Sequence, residues 1–162
     1  MSQALRRALG QFATGVTVIT TLGSDGRPVG ITANSFSSLS LDPPLVLWSI
    51  GCKSSNFVHF EAAPCFAVHV LHAGQADLAA RFASRDVDRF EGISASAGAS
   101  GAPQLHDYLA RFDCATEARL PGGDHLILVG KVLAFDERGG LAPLVFHGGR
   151  YASLNNEQGS AP

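Results

Sequence analysis

Gly30-Ile31-Thr32-Ala33-Asn34-Ser35-Phe36-Ser37-Ser38-Leu39-Ser40-Leu41-Asp42-Pro43-Pro44-Leu45-Val46-Leu47 is the stretch on which the fold turns. It begins as a strand and becomes polar at its end, running through hydroxyl and amide side chains that suit a dry core poorly. It then passes two prolines and enters an apolar segment, Leu45 to Ile50, of strand length and composition. A polar passage between two strands offers donors and backbone groups to something planar and polar. The same residues also read as a hydrophilic loop of turn formers.

Backward from this stretch, Val16 to Leu22 is β-branched almost throughout and reads as a strand. Gly23 to Pro28 is turn chemistry, so Val29 to Ala33 pairs back as a hairpin. Ser2 to Phe12 places Leu5, Ala8, Leu9 and Phe12 on one helical face, with Ser2 as cap and Gly15 as stop. Forward, Ser54 or Ser55 can cap a short helix through Phe57, Val58 and Phe60, ended by Pro64. Cys65 to Leu71 reads as a strand, Gln75 to Phe82 as a helix, and Ser84 to Phe90 as a charged stretch. Ser94 to Pro103 is small and flexible and reads as a surface loop. Strands follow over Ala110–Leu120, His125–Asp136 and Pro143–His147, with turns at Gly139-Gly140 and Gly148-Gly149. Strands dominate, the helices are short, and no repeat occurs. A closed β-barrel with peripheral helices is favoured over alternating βαβ units.

The 162 residues fit one domain, expected over 1–154, with 155–162 as a flexible tail. Hydrophobic residues make up 46% and charged residues 16%, with a formal net charge of -2 and no block of like charge. That argues against nucleic acid and anionic membrane as partners and leaves small molecules or other proteins. No apolar run reaches bilayer length, and none of signal-peptide length follows Arg6-Arg7, so the cytoplasm is the default expectation. Cys52, Cys65 and Cys114 are odd in number and widely spaced, which fits neither a disulfide framework nor structural zinc. His59, His69, His72, His106 and His147 lack tight ligand spacing, and no metal site is expected.

Three further segments carry chemistry. Ser49 to Asn56 lies after a buried strand and before a helix. Its hydroxyls, lysine and amides form a natural phosphate seat, although Ser54 is also an ordinary helix cap. It is no P-loop, because Val46 stands where the first glycine is required. Pro121-Gly122-Gly123-Asp124-His125 opens a long apolar strand and projects a histidine at its mouth; a hairpin turn with a solvated histidine reads equally well. Phe146 to Tyr151 sets an aromatic beside an arginine after two glycines, which can border a ring and an anion or form a plain hairpin. Neither G-x-G-x-x-G nor G-x-S-x-G occurs, which disfavours a Rossmann fold and an α/β-hydrolase.

Taken in order, T-G-V-T-V-I-T-T at Thr14–Thr21, the Gly30–Leu47 stretch, L-A-A-R-F-A-S at Leu78–Ser84, G-D-H-L-I-L-V-G-K-V at Gly123–Val132 and G-G-R-Y at Gly148–Tyr151 resemble one family. It is the flavin-reductase-like FMN-binding split barrel, which includes the reductase components of two-component flavin monooxygenases. The resemblance implies a mainly β split barrel with short flanking helices, homodimeric, binding FMN or FAD near the subunit interface. It implies hydride transfer from NADH or NADPH to the flavin, and a partner monooxygenase that consumes the product.

By the same resemblance Ala33, Asn34 and Ser35 line the isoalloxazine, with Thr32 and Ser37 nearby, and Ser49 reaches the ring or ribityl chain. Ser54 and Ser55, with Lys53, hold the phosphate, and Arg81 and Phe82 border the flavin. His125 faces the nicotinamide nucleotide and Tyr151 closes the site. Many relatives carry an acidic residue around Cys52-Lys53, where this chain has none. A flavin-binding or electron-carrying module without reductase activity is the rival reading, against which G-D-H speaks.

Overall fold

The computed structural model describes residues 2–154. In chain order the elements are α1 (Gln3–Leu9), β1 (Thr14–Gly15), β2 (Thr17–Leu22), β3 (Pro28–Ala33), β4 (Ser37–Leu41), β5 (Pro44–Gly51), α2 (Phe57–Ala62) and β6 (Cys65–Val70). A single 3-10 turn, Ala73–Gln75, leads into α3 (Ala76–Ala83). There follow β7 (Ala95–Ala97), β8 (Pro103–Leu105), β9 (Ala110–Gly122), β10 (His125–Glu137), β11 (Leu144–His147) and β12 (Arg150–Ser153). The domain is mainly β with short helices at its periphery, and the strands expected from the β-branched runs recur with small shifts at their ends.

Seven strands form one antiparallel sheet in the order β3-β2-β6-β9-β10-β5-β4. The sheet does not close through hydrogen bonds as the strand pattern by itself suggests: β3 and β4 are its two unpaired edges. The barrel is split there because the chain leaves β3 through the polar passage Asn34–Phe36. Ser35 holds that passage to β5 by donating to the Ser49 carbonyl (2.9 Å) and accepting from the Ser49 amide (3.0 Å).

Inside the sheet lies a cluster of Ile19, Val46, Trp48, Ile50, Phe60, Phe66, Val68, Cys114 and Leu128. Trp48 is fully buried with the Phe60 ring edge-on at 4.9 Å and Phe66 at 6.0 Å. Gly130 makes room for that packing, since a Cβ there would stand 2.5 Å from Phe66 Cζ. A second cluster, centred on Leu71, Ala79 and Phe82, fixes α3 against the barrel.

Four features differ from the sequence expectation. Gly10, not Gly15, caps α1, although Ser2 caps its start by accepting from the Leu5 amide at 3.2 Å. No residue of α1 is buried, and Leu5 and Leu9 on its apolar face are exposed. The small-residue segment Ser94–Pro103 contains half of a hairpin, β7 against β8, where only a loop was expected. Buried Asp113 pins it by accepting from the Ser100 amide (2.8 Å) and hydroxyl, a long-range anchor that local composition does not carry. Last, the polar run Ser37–Leu41 is itself an edge strand, tolerable because four of its five residues are exposed. The tail over 155–162 lies outside the described residues.

Candidate flavin site

Gly30 faces two aromatic rings: a Cβ there would stand 2.5 Å from Phe82 Cε1 and 3.2 Å from Phe90 Cε2. The two rings meet edge to face at 5.0 Å. This close approach lets the segment after α3 lie along β3, and the Gly30 carbonyl is the point to which its flanks are tied. Arg89 Nη1 donates to it at 2.7 Å and Asn56 Nδ2 at 3.4 Å. The result is a cleft of about 740 Å³ with β3 as its floor, the turn Lys53–Asn56 on one flank and Phe82–Phe90 on another. Small-molecule clefts run roughly 300–1,000 Å³.

Of the residues expected at the site, Thr32, Lys53, Ser54, Ser55 and Phe82 line this cleft. Thr32 Oγ1 donates to the Ala79 carbonyl at 2.6 Å and so joins β3 to α3. Phe82 is fully buried and supports the floor from beneath. Ser54 Oγ accepts from the Asn56 amide at 3.2 Å, so it shapes the turn ahead of α2 without capping the helix, whose N-cap is Asn56. The Ser54 amide is spent on the Gly51 carbonyl at 2.9 Å. The amides of Lys53 and Ser55, by contrast, donate to no protein acceptor among the described residues.

The remaining expected residues stand apart from the cleft lining. Ala33 ends β3, its carbonyl accepting from Thr17 Oγ1 at 2.6 Å. Asn34 lies exposed in the bend after it with no hydrogen bond to the protein among the described residues. Ser35 and Ser49 are committed to each other as above. Ser37 opens β4 with its hydroxyl on the Ser38 carbonyl at 3.0 Å. Arg81 is turned away, donating to the carbonyls of Asp88 (3.1 Å) and Glu91. Tyr151 sits on a separate sheet, β1-β11-β12, with its ring 5.6 Å from Phe146.

His125 begins β10 directly opposite Gly51, and its Nε2 lies 3.7 Å from where a Gly51 Cβ would stand. The Cys52 amide donates to the Asp124 carbonyl at 2.9 Å, which joins the histidine's turn to the strand that leads into Lys53. His125 Nδ1 is 2.7 Å from Asp124 Oδ1, and this hydrogen bond holds the Asp124 carboxyl below the usual carboxylate range. With Nδ1 donating to the carboxylate, Nε2 is the ring nitrogen left for a ligand.

Sequence reading missed Ser84, Arg85 and Arg89 as cleft residues and Asp124 as the partner of His125. Arg89 spends its guanidinium on Gly30 and, through Nε (3.0 Å) and Nη2 (2.6 Å), on the Ser84 carbonyl; burial lowers its pKa from the usual arginine range. Arg85 makes no ion pair or hydrogen bond among the described residues. The charged stretch was visible in the sequence, but nothing local told which arginine is a strut and which is free. Among the described residues no three His, Cys, Asp or Glu gather as metal ligands.

Two free turn amides, serine hydroxyls and uncommitted cations around an apolar floor suit a ligand with a flat ring and an anionic tail, so the residues present fit a flavin nucleotide. Comparison with known proteins agrees. Residues 9–155 match the flavin reductase like domain, and the chain belongs to that family. It is 45% identical over 156 residues to the FMN reductase (NADH) SmoA of Agrobacterium fabrum, covering 96% of this chain and 88% of that one. It is 42% identical over 153 residues to HsaB, the reductase subunit of a flavin-dependent monooxygenase of Rhodococcus jostii, covering 94% and 78%. Among solved structures, the NADH:FAD oxidoreductase SgcE6 of Streptomyces globisporus, in complex with NAD and FAD fragments, superposes with a TM-score of 0.88 at 41% identity. That match covers 95% of this chain and 93% of the other. The fold is therefore the split barrel of the flavin reductases.

Proposed function

We propose that the protein is an NAD(P)H:flavin oxidoreductase that supplies reduced FMN or FAD to a partner monooxygenase. The observation that carries this reading is the conjunction of the β3 cleft, whose free amides and cations suit a flavin nucleotide, with membership of the flavin reductase family over residues 9–155. A bound flavin supplies the redox chemistry, taking a hydride from the reduced nicotinamide and holding the electron pair.

This chain's residues bind and orient. Lys53, Ser54 and Ser55 meet the phosphate, and Thr32 with Ala33, Asn34, Ser35, Ser37 and Ser49 forms the margin along the ring and ribityl chain. Phe82 backs the floor, and Arg81 acts from behind it by holding the Asp88–Glu91 segment in place. His125, oriented by Asp124, directs Nε2 toward the nicotinamide nucleotide and positions it for transfer without itself moving a proton. Tyr151, on the β11-β12 hairpin, closes the site. The exposure of Leu41 (95%), Phe12 (79%) and Phe135 (75%) supports a homodimer that covers apolar surface. No described helix is long and apolar enough to cross a membrane, and a reductase that draws on the NADH pool belongs in the cytoplasm.

The test is anaerobic mixing of the protein with NADH and FMN or FAD while the flavin's visible absorbance is followed. Bleaching of many flavins per protein is expected. Tight flavin binding with no bleaching by NADH or NADPH would replace the enzyme with the carrier.

A further inference from the structure

We infer that Arg85 is a specificity residue for the diphosphate of FAD, so that the cleft discriminates FAD from FMN. The assignment rests on the flavin reading above and deepens it. FMN ends in one phosphate, and the turn Lys53–Ser55 already supplies a cation, hydroxyls and two free amides for it. Arg85 is a second uncommitted cation on the same cleft, carried by a different segment of the chain. A ligand with a single phosphate leaves it without an anion; a dinucleotide gives it one, and a guanidinium fork suits phosphate oxygens.

The segment that carries Arg85 is held from several sides. Arg89 ties its start to β3 through the Ser84 and Gly30 carbonyls. Arg81 ties its end through the carbonyls of Asp88 and Glu91, and Ser84 Oγ donates to the Ala80 carbonyl at 2.8 Å. Next to Arg85, Asp86 adopts φ 58°, alone among the described non-glycine residues in the left-handed region. Backbone held in that region by its surroundings is a feature of ligand-contacting segments. Two carboxylates share the wall. Asp88 is occupied by the Phe90 amide at 3.0 Å, and Asp86 is exposed without an ion pair to Arg85 among the described residues. The guanidinium thus remains available to an incoming anion.

The experiment is equilibrium titration of the full chain and of Arg85→Gln and Arg85→Lys with FMN and with FAD, read by quenching of flavin fluorescence, with emission of Trp48 as a check on folding. Expected for Arg85→Gln is a rise in the FAD dissociation constant of about tenfold or more, the scale of one charge-assisted hydrogen bond, with FMN moving less than about twofold and Arg85→Lys recovering part of the loss. Equal shifts for both flavins, or none for either, would overturn the assignment and leave the flavin reading standing. So would a change confined to the Michaelis constant for NADPH, which would give Arg85 to the coenzyme's extra phosphate. Failure of the unaltered protein to bind either flavin would overturn both.

Discussion

Acid should loosen this barrel through His69, a residue with no part in the cleft. Its ring is fully buried, Nδ1 lies 3.0 Å from the Val18 carbonyl, and Nε2 accepts from the Leu105 amide at 3.0 Å. The carbonyl requires a proton on Nδ1 and the amide requires none on Nε2, so only one neutral tautomer satisfies both. Protonation sets two N–H groups against each other in a dry site, and burial, the leading cause, lowers the pKa from 6.5 to about 4. The folded state therefore binds fewer protons than the unfolded state between those values. Stability is full above pH 6.5 and is lost as the pH falls toward 4. At roughly 1.4 kcal/mol per unit, moving from pH 7.5 to pH 4.5 costs on the order of 2 to 3 kcal/mol from this group alone. His69→Gln keeps a donor and an acceptor in place but cannot titrate. Urea unfolding followed by Trp48, the sole tryptophan and fully buried, gives the stability of both proteins at the two pH values. Carboxylates titrate alike in the two, so the difference isolates His69. The unaltered protein should lose on the order of 2 to 3 kcal/mol more than the variant. Equal losses would refute the neutral, doubly bonded ring.

His125→Ala should raise the Michaelis constant for NADH by about tenfold while lowering turnover less than about threefold, as expected for a group that binds and orients; steady-state kinetics decide, and the reverse split would make it an acid or base. Asn34→Ala, which removes an exposed amide with no protein partner among the described residues, should weaken flavin binding about threefold to tenfold. An unchanged dissociation constant would remove Asn34 from the margin. Gly30→Ala places a Cβ 2.5 Å from Phe82 Cε1, and overpacking of this kind costs about 1–3 kcal/mol. Thermal unfolding should show a lowered Tm together with weaker flavin binding, because the same contact sets the cleft floor; an unchanged Tm would mean that Phe82 and Phe90 move aside freely.

Local signals determined much of this protein. The β-branched run before Leu22, the turn residues at Gly23–Pro28 and the alternating segments after Ala110 specified strands and hairpins, because side-chain period and turn chemistry are properties of neighbours in sequence. The order of Thr-Ala-Asn-Ser-Phe, Asp-Pro-Pro and Gly-Asp-His pointed to the family for the same reason. The split between β3 and β4, the hairpin pinned by Asp113 and the buried His69 were decided only in three dimensions, by groups 13 to 51 residues apart in sequence. So was the division of labour between Arg85 and Arg89. Both are arginines in one charged stretch, and which is spent on backbone carbonyls and which stays free depends on where β3 passes. Tyr151, last of the motif residues, lies on a sheet of its own, since chain order says nothing of the distance between sheets.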